Sequence, residues 1–147
     1  MSAQYSSKHG IVSRTQAELY MAFTDMRNFV SMLPEDKRKD ITADYDTIST
    51  TVQGFAIGVK VTRREPYMYI ELQDNGAPFK FMVSLHFDET EEPGKTDFHI
   101  DLLADLNLMM KMMIGNKLKE ALDKMVDGLV AVSEGRVPEG MPEGFKF

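Results

Sequence analysis

The sequence predicts a single α+β domain in which one long C-terminal helix covers one face of an antiparallel sheet. Three observations predict it. An apolar stripe at three-and-four spacing runs from Leu106 to Glu134, period-two segments fill residues 41 to 107, and a capped pair of short helices precedes both.

The stripe comprises Met110, Ile114, Leu118, Ala121, Leu122, Met125, Leu129 and Val132. Lys119, Glu120, Asp123, Lys124 and Asp127 fall mostly on the other side. At about 1.5 Å per residue this helix is roughly 40 Å long, enough to cross a small domain.

The chain has 147 residues, enough for one domain with its own core and no staples. Its 43% hydrophobic and 27% charged content is that of a soluble globular protein. With no cysteine there is no disulfide framework, thiolate metal site or thiol nucleophile. The N-terminal residues lack the apolar core of a signal peptide, and no run reaches the length of a membrane span, so a cytoplasmic protein without stable membrane insertion is expected. A net charge of −6 argues against nucleic-acid binding, which requires phosphate neutralisation. The one basic cluster, Lys37-Arg38-Lys39, is flanked by Glu35, Asp36 and Asp40 and reads as a solvated loop.

Taken in order, residues 2 to 13 have weak strand character. Thr15-Gln16-Ala17-Glu18 fits a capping box and opens a short helix with Leu19, Ala22 and Phe23 on one face. The pattern breaks at Thr24-Asp25, and a second short helix runs from Met26 to about Met32 before Pro34. Strands are expected at 41 to 47, 50 to 55, 56 to 64, 67 to 73, 79 to 88 and 96 to 106. The breaks between them are Thr47-Ile48-Ser49, Gly54 and Gly58, Glu65-Pro66, Asp74-Asn75-Gly76 and Glu92-Pro93-Gly94. Short connections make neighbouring strands antiparallel.

Alternation is cleanest in the last two strands. Phe79, Phe81, Val83, Leu85 and Phe87 share one face, as do Phe98, Ile100, Leu102, Ala104 and Leu106. The other faces carry Lys80, Ser84, His86 and Asp88, then Asp97, His99, Asp101 and Asp105. One face is therefore wet and the other needs a cover, which the long helix supplies. Residues 135 to 147, with Pro-Glu-Gly twice, read as a flexible tail.

This order of elements resembles the START-like, birch-pollen-allergen-like helix-grip superfamily (SRPBCC), which includes lipid carriers, polyketide cyclase/aromatase relatives and coenzyme-Q-binding proteins. The resemblance is carried by Thr15-Gln16-Ala17-Glu18-Leu19-Tyr20 with Asp25-Met26-Arg27-Asn28-Phe29, by Arg64-Glu65-Pro66, and by Ala104-Asp105-Leu106-Asn107 leading into the long helix. It covers most of residues 2 to 134, and residues 1 to 134 are taken as one helix-grip domain. It implies a curved sheet gripping the helix, with an apolar cavity between them. Met109, Met110, Met112 and Met113 with Ile114 suit an adaptable cavity wall, because the segment is apolar over much of its circumference. Gly115 would mark a close approach to the helix backbone.

The expected lining is Phe81, Val83, Leu85, Ile100, Leu102, Met109, Met110, Met113 and Ile114, with the short helices forming the mouth. Arg63 shares strand parity with Ile57, Val59 and Val61. It could hold a ligand carboxylate or phenolate inside, pair with Glu71, or reach solvent; the two structural roles are preferred. Tyr69 is a further lining candidate, and Tyr45 and Tyr67 could also supply hydroxyls.

His86 and His99 should face each other across a hairpin, with Asp88, Asp97 and Asp101 around them. Two imidazoles and a carboxylate suffice for several metal ions, but these side chains belong to the wet face and read as ordinary solvated surface, so no metal is assigned. Nor is any cofactor assigned. Glu89, Glu91 and Glu92 lack the apolar pocket that acid catalysis needs. Gly54-Phe55-Ala56-Ile57-Gly58 lacks the following helix of a phosphate loop. The expectation is a non-catalytic binder or carrier of a hydrophobic small molecule, either a lipid, an isoprenoid or an aromatic polyketide-like compound. A cyclase/aromatase-type enzyme using polar cavity groups is the alternative, and an interaction module using Met141 and Phe145 is the third reading.

Overall fold

The computed structural model describes residues 2–31, 39–52, 55–76 and 79–135. Its strands are β1 (Ser2–Ser6), β2 (Gly10–Val12), β3 (Ile41–Ala43), β4 (Thr47–Val52), β5 (Phe55–Glu65), β6 (Tyr69–Asp74), β7 (Phe81–Glu89) and β8 (Thr96–Asp105). Its helices are α1 (Gln16–Thr24), α2 (Met26–Ser31) and α3 (Leu108–Ser133). The strands form one curved antiparallel sheet in the order β1-β8-β7-β6-β5-β4-β3, and β2 shares with β1 the outer edge of β8. The fold is the expected α+β helix-grip arrangement.

Local chemistry explains where the helices start. Thr15 accepts from the Glu18 amide at 3.1 Å and Glu18 Oε1 accepts from the Thr15 amide at 3.1 Å, the reciprocal bonds of a capping box. The Thr15 amide, and then the Thr15 hydroxyl, which also donates to Glu18 Oε1 at 3.0 Å, hold the Glu18 carboxyl below its ordinary pKa. The break between α1 and α2 is made by Asp25, which leaves helical geometry and accepts from the Arg27 amide at 3.0 Å. Asn107 caps α3 by accepting from the Met110 amide at 2.8 Å.

Two departures from the expected sheet bear on the site. The bend placed at Thr47-Ile48-Ser49 is strand; the turn comes earlier, where Asp44 Oδ1 accepts from the amides of Asp46 and Thr47 and from the Thr47 hydroxyl. Secondly, β5 carries a bulge. Val61 pairs with Leu72 but Arg63 pairs with Glu71, so Thr62 is the extra residue and the side-chain alternation reverses beyond it. Expectations at Met32, Pro34, Lys37-Arg38, Gly54, Ala77-Pro78 and the tail from residue 136 fall outside the described residues.

The covered face of the sheet packs most tightly at one end. Phe87 and Phe98 stack at 5.6 Å, and Phe23 of α1 lies 6.3 and 6.2 Å from them. Val12, Leu19, Ile70, Ile100 and Val126 complete a region closed to solvent. Each such side chain contributes about 1.5–3 kcal/mol relative to being left in water. Helix α3 makes its closest backbone approaches to β1, β2 and β8. At Gly10 of β2 an added Cβ would lie 2.6 Å from Val126 Cγ1 and 2.8 Å from Val130 Cγ2, so only hydrogen fits between strand and helix there. Among the described residues no helix is long and apolar enough to cross a membrane.

Candidate functional site

Along α3, β7 and β5 burial of the covered face falls from one end to the other, although Ala3, Ala104 and Leu106 stay buried beside it, and the more exposed end forms the candidate site. On α3, Leu122, Val126, Leu129 and Val132 are buried, whereas Met110, Ile114 and Leu118, one to three turns earlier on the same face, are only partly so. On β7, Leu85 and Phe87 are buried and Val83 and Phe81 partly open. Val59 and Val61 of β5, Ile48 of β4 and Ala43 of β3 continue this half-open apolar surface. A uniformly packed core would bury all of them.

The expected lining residues divide accordingly. Phe81, Val83, Met110 and Ile114 lie at the open end. Leu85, Ile100 and Leu102 lie on the same face but are buried, as its floor. Met109 and Met113 turn outward, with 70% and 67% of their surface exposed, and join Leu108 and Met112 in an apolar patch on the solvent side of α3.

Arg63 and Tyr69 are corrections. The Thr62 bulge puts Arg63 on the outer face, where its side chain is 60% exposed, pairs with Glu65 and lies 5.7 Å from the Tyr69 ring. Tyr69 sits opposite His86 on that same outer face, bonded to Glu71 and Ser84 at 3.1 Å each, and burial pushes its hydroxyl pKa up.

The bulge brings Arg64 inward instead, opposite Ile70. Arg64 donates to the carbonyl of Thr24 at 2.7 Å, to its hydroxyl at 2.8 Å and to Asp46 Oδ1 at 2.7 Å, and its guanidinium stacks 4.1 Å from the Tyr45 ring. It ties the end of α1 to the sheet. Sequence reasoning missed this residue because nothing in the chain marks Thr62 as a bulge.

Tyr5 was also missed. It pairs with Leu102 on the covered face, and its hydroxyl is buried with no hydrogen-bond partner among the described residues. The hydroxyl lies against Gly115, where a Cβ would stand 2.9 Å from it, so the close approach expected at that glycine is made by Tyr5. The parity of Ala3 and Tyr5 could have placed this side chain inside.

On the outer face, His86 and His99 are a directly opposed pair on β7 and β8, as the hairpin register predicts. Their rings stack at 4.3 Å with planes 2° apart, and His9 stacks on the far side of His99 at 4.1 Å. Asp101 Oδ2 lies 3.0 Å from His86 Nε2 and 3.7 Å from His99 Nε2, and His9 Nδ1 lies 2.9 Å from Asp97 Oδ1. The stack removes His99 from water more than a solvated surface would: its side chain is 15% exposed and its Nδ1 is buried without a hydrogen-bond partner among the described residues. Burial, then the neighbouring His86 and His9, holds its pKa below the ordinary value.

Neither the family models nor the curated proteins match this sequence. Solved structures do match by shape. Norcoclaurine synthase from Thalictrum flavum aligns with a TM-score of 0.66 at 12% identity, covering 92% of this chain and 96% of that one. A START superfamily protein from Mycobacterium smegmatis aligns with a TM-score of 0.57 at 17% identity, covering 86% and 98%. The Aha1 dimer from Colwellia psychrerythraea aligns with a TM-score of 0.56 at 14% identity, covering 87% and 96%. At such identities the likeness concerns the path of the chain, and on that ground this chain has the START-like, birch-pollen-allergen-like helix-grip fold.

Proposed function

We propose that the protein binds a hydrophobic small molecule, a lipid, isoprenoid or aromatic compound, between the first half of α3 and the covered face of the sheet, without transforming it. The observation that carries this reading is the burial gradient. Met110, Ile114 and Leu118 of α3, and Phe81, Val83, Val59 and Val61 of the sheet, are apolar side chains packed at the edge of the core and left only partly buried. A ligand that buried about 300 Å² of apolar surface there would gain roughly 7 kcal/mol before the costs of association. Methionine at the wall permits occupants of differing shape. The norcoclaurine synthase that shares the fold is itself held in complex with dopamine and hydroxybenzaldehyde, which supports an aromatic occupant.

An enzymatic role draws little from the residues present. The cyclase reading relied on Arg63 and one or two tyrosines inside, and Arg63 and Tyr69 both face outward. Tyr5 is a polar group on the inner face with a bond to spare, and it would orient a ligand carbonyl or hydroxyl.

The test is native mass spectrometry of protein purified without detergent, joined to thermal shifts on adding fatty acids, isoprenoid alcohols and aromatic ketones. A retained apolar species or a saturable rise in melting temperature is expected. No bound mass and no shift with any of the three classes would remove the proposal.

A further inference from the structure

We infer that the face of the sheet away from α3 carries a site for a divalent transition-metal ion, with His86 Nε2, His99 Nε2 and Asp101 Oδ2 as its protein donors. One ligand atom from each of the three residues lies within 4.8 Å of the other two. Donors at bonds of about 2.0 Å to one tetrahedral ion stand about 3.3 Å apart. The carboxylate-to-imidazole distances of 3.0 and 3.7 Å bracket that value. Two imidazoles and one carboxylate suit zinc, cobalt or nickel and not calcium or magnesium, which take oxygen donors. Three protein donors leave a fourth position for water.

The site is built on rigid elements. His99 and Asp101 are two residues apart on β8, and His86 is the direct partner of His99 on β7, so register alone sets the spacing. Asp101 is oriented from a third strand: the Ser6 hydroxyl of β1 donates to Oδ1 at 2.7 Å, leaving Oδ2 turned to the histidines. Tyr69 meets the His86 ring edge-on at 5.1 Å and His9 covers His99, so the donors are partly shielded from water.

One adjustment is needed. Parallel rings aim their in-plane lone pairs side by side, so the Nε2 edges must tilt toward a shared ion, which the broad χ2 torsion of histidine allows. With Nε2 on the ion, His99 would carry its proton on Nδ1. That buried atom has no hydrogen-bond partner among the described residues and lies 3.9 Å from Asp88 Oδ2, the carboxylate that would then hold it.

The experiment uses the full chain, stripped with chelator and titrated with zinc chloride by calorimetry and by imidazole ¹H–¹⁵N spectra. The expected result is one saturable equivalent, with the ring signals of both His86 and His99 shifted. His86→Gln, His99→Gln and Asp101→Asn should each weaken binding by about tenfold or more, whereas His9→Gln, which removes a covering ring and no donor, should weaken it far less. Absence of saturable binding overturns the inference. So does binding that leaves the His86 signals in place, or that falls as far in His9→Gln as in His86→Gln. The spectra are read on the wild-type chain, so a variant that does not fold leaves the inference fully testable.

Discussion

The hydroxyl of Tyr5 is packed against the backbone of α3 at Gly115, and it is buried there without a hydrogen bond among the described residues. A buried hydroxyl left unsatisfied costs about 1–3 kcal/mol. Tyr5→Phe should therefore raise the unfolding free energy by about 1 kcal/mol, read from urea titration. Gly115→Ala should behave differently in the two backgrounds. In the wild type the methyl meets the hydroxyl, and the clash offsets the helix gain; in Tyr5→Phe the gain of about 1 kcal/mol should appear. If Tyr5 orients a ligand, Tyr5→Phe will stabilise the protein and weaken binding together. Equal effects of Gly115→Ala in both backgrounds would count against the contact.

The Thr62 bulge makes opposite forecasts for two adjacent arginines. Arg64→Met strands the buried Thr24 carbonyl and hydroxyl and should cost about 2 kcal/mol. Arg63→Met removes an exposed ion pair and an exposed cation–π contact with Tyr69 and should stay within about 1 kcal/mol of wild type. Chemical denaturation of both variants checks this. The reverse ranking would mean that strand parity continues unbroken through Val61.

Those two arginines also show how far the sequence could be read. Strands β7 and β8 were legible because their alternation is unbroken and the Glu92-Pro93-Gly94 turn fixes register, so the pairing of His86 with His99 followed. The capping box at Thr15 was legible because its two bonds need only local chain. The bulge was not: one extra threonine in a polar stretch carries no signature, yet it exchanges which arginine faces inward. Similarly, the apolar circumference of Leu108 to Gly115 told that more than one side avoids water. It could not tell that only Met110 and Ile114 meet the sheet while Met109 and Met113 face away, since that depends on where α3 lies over β1 and β8.

His99 gives stability a pH dependence of known sign. Burial, with His86 and His9 alongside, lowers its folded pKa below the ordinary 6.5, while Asp101 and Asp88 pull weakly the other way. The unfolded chain then takes up this proton more readily. The contribution is complete above pH 6.5 and is lost as pH falls through the lower folded pKa. Denaturant midpoints measured with chelator at several pH values from 7.5 down to 5 should decline for wild type and flatten in His99→Gln. Asp25, Asp44 and Asp123, held below their ordinary 3.8 chiefly by hydrogen bonds from Arg27, Thr47 and Lys119, act only at lower pH. Parallel curves for the two proteins would dismiss the histidine as the cause.

The difference between the two ends of the covered face can be tested without any ligand, by adding volume at each. Val126 is fully buried against Gly10, so Val126→Phe must displace neighbours and should cost about 1–3 kcal/mol or more. Val83 faces the half-open region, so Val83→Phe should fit with little strain and cost well under 1 kcal/mol, or stabilise by burying its ring. The same substitution then occupies space that a ligand would use. Val83→Phe should retain the wild-type melting temperature yet lose the ligand-induced rise, whereas a closed core at Val83 would make both phenylalanine variants equally unstable.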